Sequence, residues 1–454
     1  MYTLGIDSST QSVKALVYDA GAKKAVASAS VNFGRELPEF NCPDGFLPNA
    51  DPLVRQADPR LWLAGLEKVL GKLKDVFDTS KIDAIGGDGQ QHGSVYLDSS
   101  WDGSAGGGYF SRAVSPIWMD SSTSAECRAL DAKFGGDGLR ARTGSPAIER
   151  FTGAQIMKFA KDDPEAYAAT AKIHLVSSFL CSVLIGGDAP VDTGDGAGMN
   201  LLDLGRMEWD REICDFVAPG LAGKLPRVAK PGEAAGTLAP YFAKFGLRPG
   251  IPVAVFTGDN PASLVGTGAD KPGVAVISLG TSDTFFAAMP EFRTDPDGCG
   301  HVFGNPSGGC MSLACFKNGS LARERVRAEI GCDYAFFDEK AFELAGDTGK
   351  RAFPYFEAEI TPVHEATGIE ADFDWASASD AEKVVSVIRG QMLNMFERTR
   401  WIGKFDTIRV TGGASRSKGI RDTIAKVFGA KVETLDVTDS AALGGAILAA
   451  RLLK

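Results

Sequence analysis

The chain contains the same kind of turn twice, and this repeat limits the folds that it can adopt. The turn at residues 7–12 follows an apolar strand, and so does the turn at residues 280–284. Each is rich in Gly, Ser, Thr and Asp and leads into a second apolar strand. Backbone N–H groups and small hydroxyls in such a turn can hold phosphate, although similar turns also join ordinary hairpins. Because the two copies lie about half a chain apart, they predict a duplicated architecture that closes on one nucleotide from both sides.

Length and composition are those of an ordinary globular protein with two or three domains. The 454 residues are 44% hydrophobic and 23% charged, which is enough apolar material for full cores. The net charge of −10 leaves no broad basic surface, so we expect neither nucleic acid nor an anionic membrane as a partner. Small polyanions would need local binding loops instead.

The eight cysteines and four histidines do not form a zinc-binding pattern, because no C-x-x-C pair occurs among them. Reduced thiols are typical of the cytosol, so we predict a cytoplasmic protein. A strand pattern, instead of a charged and then apolar leader, begins at Tyr2. The stretch of small and apolar residues at 441–453 is too short to cross a bilayer and predicts a packed terminal helix.

Strands and helices alternate along the first half of the chain, as in an α/β fold. The pattern predicts a hairpin over residues 2–33, helices at 59–76 and 122–134, and a strand at 82–86. Two segments rich in Gly are predicted as surface loops, at 99–109 and 186–198.

A passage rich in Pro and Gly, from Lys230 to Pro252, interrupts this pattern at mid-chain and predicts a domain boundary. We therefore divide the chain into domains 1–247 and 248–454, with a hinge near 245–252. The second half is predicted to contain strands at 253–256, 408–410 and 432–435, and helices from Pro261, at 418–428 and at the end of the chain.

Asp7 lies at the end of the first strand, directly before the first turn. A carboxylate at the mouth of a phosphate-binding loop can hold Mg²⁺, which prefers one or two carboxylates together with phosphate oxygens. The other interpretation is that Asp7 only stabilises its own turn.

Asp259 follows the apolar strand 253–256 and precedes Pro261, a residue that favours the first turn of a helix. Strand ends of this kind face the ligand side of α/β sheets. No Lys or Arg is adjacent in sequence, so the carboxylate could take the proton of a hydroxyl that attacks a γ-phosphate. Capping of the helix by Asp259 or Asn260 is the alternative interpretation.

Another predicted strand end carries Gln91 and His92, whose side chains offer donors and acceptors that match vicinal hydroxyls. Trp118, Asp120 and Arg150 add an aromatic ring, a carboxylate and a guanidinium further along the chain. Each of these residues, taken singly, is also typical of a core or a surface position. The pattern indicates a polar ligand site only when the residues are taken as a set.

Gly412 and Gly413 stand between a predicted strand and a predicted helix. Paired glycines let the backbone approach a planar or charged ligand closely, although an ordinary turn would use them as well.

In this order, the motifs resemble those of the FGGY carbohydrate kinases over nearly the whole chain. The motifs that carry the resemblance are Gly5-Ile6-Asp7-Ser8-Ser9-Thr10, Gln91-His92-Gly93, Trp118-Met119-Asp120, Gly258-Asp259-Asn260, Gly280-Thr281-Ser282 and Gly412-Gly413-Ala414-Ser415. Two longer ones, Glu149-Arg150-Phe151-Thr152-Gly153 and Cys315-Phe316-Lys317-Asn318-Gly319-Ser320, are similar to those of the animal-type members that phosphorylate D-xylulose.

The resemblance implies an α/β fold of two ribonuclease-H-like domains, of the actin and hexokinase type, with ATP and sugar in an interdomain cleft. It assigns the sugar to domain 1–247 and ATP to domain 248–454. It also implies ATP and Mg²⁺ as cofactors and allows a homodimer.

The resemblance further implies roles for single residues. Asp259 would be the general base, and Asp7 would lie near the metal. The sugar would contact His92, Gln91, Asp120, Arg150, Asp259 and Asn260. The phosphates would contact Thr10, Gly280, Thr281 and Ser282. Adenosine would lie against Gly412 and Gly413, with Tyr334 (or Phe336 or Phe337) on the adenine and Ser417 where many family members have Asn.

These observations predict an ATP-dependent ketose kinase that converts D-xylulose to D-xylulose 5-phosphate. A kinase for another sugar or polyol, such as ribulose or glycerol, is one alternative. A non-catalytic actin-like nucleotide-binding protein is the other. His92, Asp120 and Arg150 argue against the second alternative, because a filament subunit or chaperone does not need a sugar site.

Overall fold

The computed structural model describes residues 1–346, 348–436 and 439–454. The chain divides into two compact units. The first unit comprises Met1–Gly268, Phe303–Cys310 and Asp439–Lys454, and the second comprises Ala269–Val302 and Met311–Thr438.

The main strands are short and apolar. Those before residue 268 are β1 (Tyr2–Ser8), β2 (Ser12–Asp19), β3 (Lys24–Asn32), β4 (Ile82–Gly89), β5 (Ala234–Thr237), β6 (Pro252–Ala254) and β7 (Thr257–Gly258). Those after it are β8 (Val274–Leu279), β9 (Asp283–Met289), β10 (His301–Gly304), β11 (Cys310–Phe316), β12 (Thr407–Thr411) and β13 (Lys431–Thr434). Short strand pairs outside these are Gln56–Ala57 with Ser115–Pro116, Ser94–Asp98 with Thr170–Leu175, Leu202–Asp203 with Glu208–Trp209, Ala352–Tyr355 with Gly368–Ala371, and Glu359–Ile360 with Val363–His364.

The helices of eight or more residues are α1 (Arg60–Val76), α2 (Ser124–Phe134), α3 (Gly136–Thr143), α4 (Thr152–Asp162), α5 (Val176–Ile185), α6 (Asp259–Gly266), α7 (Ser320–Ile330), α8 (Asp380–Thr399), α9 (Lys418–Phe428) and α10 (Ser440–Arg451). Shorter helical segments are Phe33–Glu36, Pro38–Phe40, Thr79–Lys81, Pro164–Ala169, Thr193–Gly196, Ala197–Met199, Arg211–Val217, Leu221–Lys224, Pro240–Phe245, Phe336–Lys340, Ala341–Ala345 and Gly413–Arg416.

The two units repeat one sheet plan. In the first, the strand order is β5-β6-β4-β1-β2-β3, with β7 beside β4. β1 is antiparallel to β2 and parallel to β4. In the second, the order β11-β9-β8-β12-β13 places β8 antiparallel to β9 and parallel to β12. The duplicated α/β architecture predicted from the two turns is therefore confirmed, because each turn joins the antiparallel hairpin of its own sheet.

The core of the first unit forms between this sheet and helices on its faces. Helix α1 buries Trp62, Leu66, Val69, Leu70 and Leu73, a spacing that puts all five on one side of the helix. That side packs against β2 and β3. The helix predicted at 59–76 is confirmed.

Helix α10 returns the end of the chain to the first unit, where it lies against β1, β4 and α6. Glycine permits this approach: a Cβ atom on Gly5 would stand 1.8 Å from the carbonyl oxygen of Ala442. At the start of the helix, the ammonium group of Lys14 is 2.7 Å from the carboxylate of Asp439. The predicted packed terminal helix is confirmed.

The domain boundary predicted between 247 and 248 differs from the division that the structure shows. The passage 230–252 supplies β5 and β6, which pair with each other, and β6 also pairs with β4. Thr79 Oγ1 donates to the carbonyl oxygen of Phe245 at 2.7 Å. Residues 245–252 thus lie within the first unit, which continues to Gly268. The proline and glycine residues mark strand ends and tight turns here, and a hinge at this passage stays a prediction.

Smaller predictions were also tested. The eight cysteines are free thiols, in line with the reduced state predicted for them. Within the described ranges, no helix is long and apolar enough to span a bilayer. Of the strand predicted at 253–256, residues 253–254 lie in β6 and residues 255–256 connect it to β7, and the helix predicted from Pro261 already begins at Asp259.

Candidate active site

Three parallel strands of the first sheet end at one edge and carry acidic residues there. Asp7 on β1 lies opposite Asp88 on β4, and Asp88 lies opposite Thr257 on β7. Asp259 follows β7 directly, as the first residue of α6. The carboxyl ends of parallel strands are where α/β sheets bind ligands. The register therefore brings Asp7 and Asp259, which the sequence analysis singled out separately, to one edge.

The Asp259 carboxylate is held by its neighbour Asn260. The Asn260 backbone N–H donates to Asp259 Oδ1 at 2.8 Å, and the side-chain Nδ2 donates to the same oxygen at 3.0 Å. Nδ2 also donates to Gln91 Oε1 at 2.9 Å. Burial, with a smaller contribution from the negative charge of Asp7, raises the pKa of Asp259 to about 7. A carboxylate with such a pKa can take up a proton near neutral pH.

His92 is fixed in one orientation and one tautomer. Its Nδ1 lies 2.8 Å from the carbonyl oxygen of Gly198, which can only accept, so the proton is on Nδ1. The ring stacks on Phe151 with centroids 4.3 Å apart. Thr152 Oγ1 donates to the His92 carbonyl oxygen at 2.9 Å, and the backbone φ is 69°. In the neutral ring, Nε2 is therefore an acceptor, which suits a ligand hydroxyl.

Asp120 is fully buried, and the protein already engages both of its carboxylate oxygens. Oδ2 accepts from the backbone of Arg55, and Oδ1 accepts from Ser122 and from Gln155 Nε2 at 2.9 Å. The structure thus gives Asp120 a role in holding three segments together. Arg150 lies at the turn before α4, half-buried.

The prediction of a surface loop at 186–198 is wrong from residue 189 onward, because residues 189–198 are buried. Asp192 accepts from the backbone N–H groups of Gly194 and Asp195, and from Thr257 Oγ1 at 2.8 Å. Asp195 accepts a hydrogen bond from Ser177. Burial raises the pKa of Asp192 to about 6 and that of Asp195 well above its usual range. The sequence signal for this short helix is Asp192 itself, because a capping aspartate accepts from the backbone N–H groups two and three residues further along the chain.

Asp88 was also missed, because no motif includes it and only the strand register brings it to Asp7. Asp88 is fully buried, Asp7 is 7% exposed, and the Asp88 oxygens have no hydrogen-bond partner other than the Asp7 carboxyl group. Close by, the turn after β1 is held by Trp118, whose Nε1 donates to Thr10 Oγ1 at 2.7 Å.

The second unit carries the repeated turn between β8 and β9. The Ser320 N–H donates to the carbonyl oxygen of Gly280 at 2.9 Å. A Cβ atom on Gly412 would stand 2.3 Å from the carbonyl oxygen of Leu279, and Gly412 has a φ of 91°. The turn with Gly280, Thr281 and Ser282 therefore lies beside the Gly412-Gly413 turn, at the carboxyl ends of β8 and β12. The structure brings together two predicted nucleotide contacts within this unit.

A buried ion pair fixes the end of this turn. The Arg323 guanidinium donates to the Asp283 carboxylate with both nitrogens, at 2.6 and 2.8 Å. The two side chains are 3% and 2% exposed. Arg323 also donates to Ser320 Oγ at 2.8 Å and to Gln391 Oε1 at 3.2 Å. The guanidinium thus joins β9 to the start of α7 and to α8.

Two other predicted adenosine contacts have partners within the protein. The Tyr334 ring is 56% exposed, with the Arg327 guanidinium 4.2 Å from its centroid. Ser417 caps α9 by accepting from the Ile420 N–H, and it donates to the carbonyl oxygen of Asp338 at 3.0 Å. Their contact with adenosine stays a prediction.

In the part of the chain that the structure describes, no group of three or more His, Cys, Asp or Glu side chains is arranged to hold a metal ion. A cation at the edge of the first sheet would therefore take at most two carboxylates from the protein. This number fits Mg²⁺, which keeps waters or phosphate oxygens as its other ligands.

Comparisons with known proteins agree with this geometry. Residues 2–266 match the N-terminal domain of the FGGY family of carbohydrate kinases, and residues 275–453 match its C-terminal domain. A mouse xylulose kinase is 39% identical over 98% of this chain and 84% of its own length. Xylulose kinase 2 of Arabidopsis thaliana is 37% identical over 98% of this chain and 86% of its own length. A crystal structure of a xyloylose kinase from Brucella ovis, 26% identical, superposes with a TM-score of 0.83 and covers all of this chain and 90% of its own.

Proposed function

Because this chain belongs to the FGGY family of carbohydrate kinases, we propose that it transfers the γ-phosphate of ATP to D-xylulose and forms D-xylulose 5-phosphate. The substrate is supported by the xylulose kinases that are similar over nearly the full chain. The observation that supports the chemistry is the Asp259 carboxylate. It lies at the end of a strand, accepts hydrogen bonds from Asn260, and has its pKa raised to about 7 by burial.

In the proposed mechanism, Asp259 acts as the general base. As the terminal hydroxyl oxygen of the sugar bonds to the γ-phosphorus, its proton passes to the Asp259 carboxylate, and the bond to ADP breaks. The two hydrogen bonds from Asn260 fix the carboxylate in place, so that one oxygen can face the hydroxyl.

The sugar would be bound by neighbours of Asp259 in the first unit. Gln91 is joined to Asp259 through Asn260, and His92 would offer Nε2 as an acceptor to a hydroxyl. Arg150 would donate to another sugar oxygen. Asp120 would act by holding the adjoining segments, since its oxygens are already engaged.

The hydroxyl-rich and glycine-rich turns described above would bind the nucleotide. We assign the phosphates to Thr10 and to Gly280, Thr281 and Ser282, and adenosine to Gly412, Gly413, Tyr334 and Ser417. Asp7 would hold Mg²⁺, which neutralises charge on the phosphates when it is bound. The cytoplasmic location and a homodimer stay predictions; the lack of any disulfide among the eight cysteines agrees with the first.

We expect the purified chain to release ADP fastest with D-xylulose in a panel that also contains D-ribulose, L-xylulose and glycerol. A site built to hydrogen-bond each hydroxyl rejects analogues that lack or misplace one, often by orders of magnitude. Coupled measurement of kcat/KM for each compound tests this. A higher kcat/KM for ribulose or glycerol would identify a different substrate for an enzyme of the same class. No ADP release with any of them would contradict the proposed function.

Replacing Gly198 with alanine should weaken sugar binding by about tenfold, the equivalent of one hydrogen bond to a polar partner. A Cβ atom there would stand 2.7 Å from His92 Nδ1, so the imidazole must move from its position on Phe151. Calorimetric titration with D-xylulose measures the effect. Gly138→Ala is the matched control, because no atom lies within 4 Å of a Cβ atom at that helical position. Unchanged sugar affinity in Gly198→Ala would argue against His92 as a sugar ligand.

A further inference from the structure

Asp88 is a fully buried acidic residue at the edge of the first sheet where Asp7 and Asp259 also lie. It lies opposite Asp7 in the register of β1 and β4 and is fully buried. Neither of its oxygens, nor Oδ1 of Asp7, accepts a hydrogen bond from any group outside this pair of carboxyl groups. A buried carboxylate without hydrogen bonds is costly unless a proton or a cation compensates it.

The charged groups around Asp88 are mainly negative. Asp88 is fully buried, and the carboxylates of Asp7, Asp259 and Asp195 act on it with like charge. Lys14 is the cation that acts on Asp7, and its ammonium group is already paired with Asp439 at 2.7 Å. One lysine does not neutralise this group of carboxylates.

We propose that Asp88 and Asp7 together anchor the divalent cation, so that this chain binds the ion before any nucleotide arrives. The inference rests on the proposed kinase function, which assigns the cation to Asp7. It adds a second carboxylate ligand that none of the recognised sequence motifs contains. Two carboxylates side by side, whose buried oxygens have no partner outside the pair, match the donor set that Mg²⁺ takes from proteins.

The alternative is a proton shared between Asp7 and Asp88. The two explanations predict different effects of Asp88→Asn on metal binding. An asparagine can replace a protonated carboxyl group as a donor, so a shared proton predicts little change. A metal ligand cannot be replaced in this way, because the amide carries no charge and binds Mg²⁺ weakly.

The test uses the full chain without nucleotide and Mn²⁺ as the probe, with free Mn²⁺ measured by electron paramagnetic resonance. We expect the wild-type chain to bind one Mn²⁺ and Asp88→Asn to bind it roughly tenfold more weakly or worse. Asp195→Asn is the matched control, because it removes a charge from the same neighbourhood, but Asp195 lies outside the strand pair that places Asp7 opposite Asp88, and its Oδ2 accepts from Ser177. It should retain most of the affinity.

Thermal unfolding gives a second readout. In EDTA, Asp88→Asn should melt at the same temperature as the wild-type chain or higher, because it removes a buried charge. Added Mg²⁺ should raise the melting temperature of the wild-type chain but not that of Asp88→Asn. Equal Mn²⁺ binding by the two chains, no Mn²⁺ binding by either, or equal loss in Asp195→Asn would overturn the proposal.

These outcomes are separate from those of the kinase assay. A chain that phosphorylates D-xylulose but binds no Mn²⁺ without nucleotide would disprove the cation anchor and leave the proposed function intact. A chain that binds Mn²⁺ through Asp88 but phosphorylates no sugar would disprove the proposed function and leave the cation anchor intact.

Discussion

Asp259→Asn is expected to reduce phosphoryl transfer by about 10²–10⁴-fold while sugar affinity stays within a few-fold of the wild-type value. The amide keeps the shape of the side chain and can still pair with Asn260, but it cannot take up a proton. Steady-state kcat and calorimetric titration with D-xylulose measure the two effects separately. Asp137→Asn is the control, since it removes the same charge from a side chain that is 94% exposed. Retention of more than a tenth of the wild-type kcat would exclude Asp259 as the base.

The pH profile provides an independent check of the same residue. Only the deprotonated carboxylate can act as a base, and the pKa of Asp259 is raised to about 7. The value of kcat/KM should therefore fall about tenfold per pH unit below 7 and level off above it. In Asp259→Asn the residual rate should lose this dependence. An unchanged acidic limb in the variant would assign the titration to another group.

Arg323→Met is expected to destabilise the second unit by about 3–5 kcal/mol, because it leaves the Asp283 carboxylate buried without its partner. The guanidinium makes two bonds to that carboxylate, and both groups are almost fully buried. Hydrogen exchange, analysed peptide by peptide over β8 and β9, reports the opening free energy of this unit without mixing it with that of the other.

The double variant Asp283→Asn with Arg323→Met separates this charge effect from lost packing. It leaves no unpaired charge, so most of the lost stability should return. The same variants should raise the KM for ATP, because Asp283 directly follows Ser282 in the proposed phosphate turn. A loss of less than about 1 kcal/mol in the single variant would show that the pair is not needed to hold the turn.

The sequence predicts those parts of the fold that depend on local patterns. The apolar spacing in α1 and the two turns between apolar strands are properties of short segments, and the structure contains all of them. Asp259 was placed at a strand end by the same reasoning, since an apolar strand precedes it and Pro261 follows within a helical turn.

Features that depend on distant parts of the chain were not predicted. Asp88 becomes notable only when β4 pairs in register with β1. The segment with Asp192 and Asp195 has the Gly and Asp content of an exposed loop, but Asp192 accepts from backbone N–H groups inside the protein and Asp195 accepts from the Ser177 hydroxyl. The Pro- and Gly-rich passage before β6 predicts a domain boundary from composition alone, but proline and glycine also mark strand ends and turns inside a domain.

The return of α10 to the first unit has a consequence for how the chain matures during synthesis. Ribosomes deliver residues in order, and domains usually fold as they emerge. Here the helix that packs on Gly5 of β1 and the partner of Lys14 both lie within Asp439–Lys454. The second unit is therefore made before the first unit can be completed. The sheet of the first unit gains its packing against α10 only after that helix has left the ribosome.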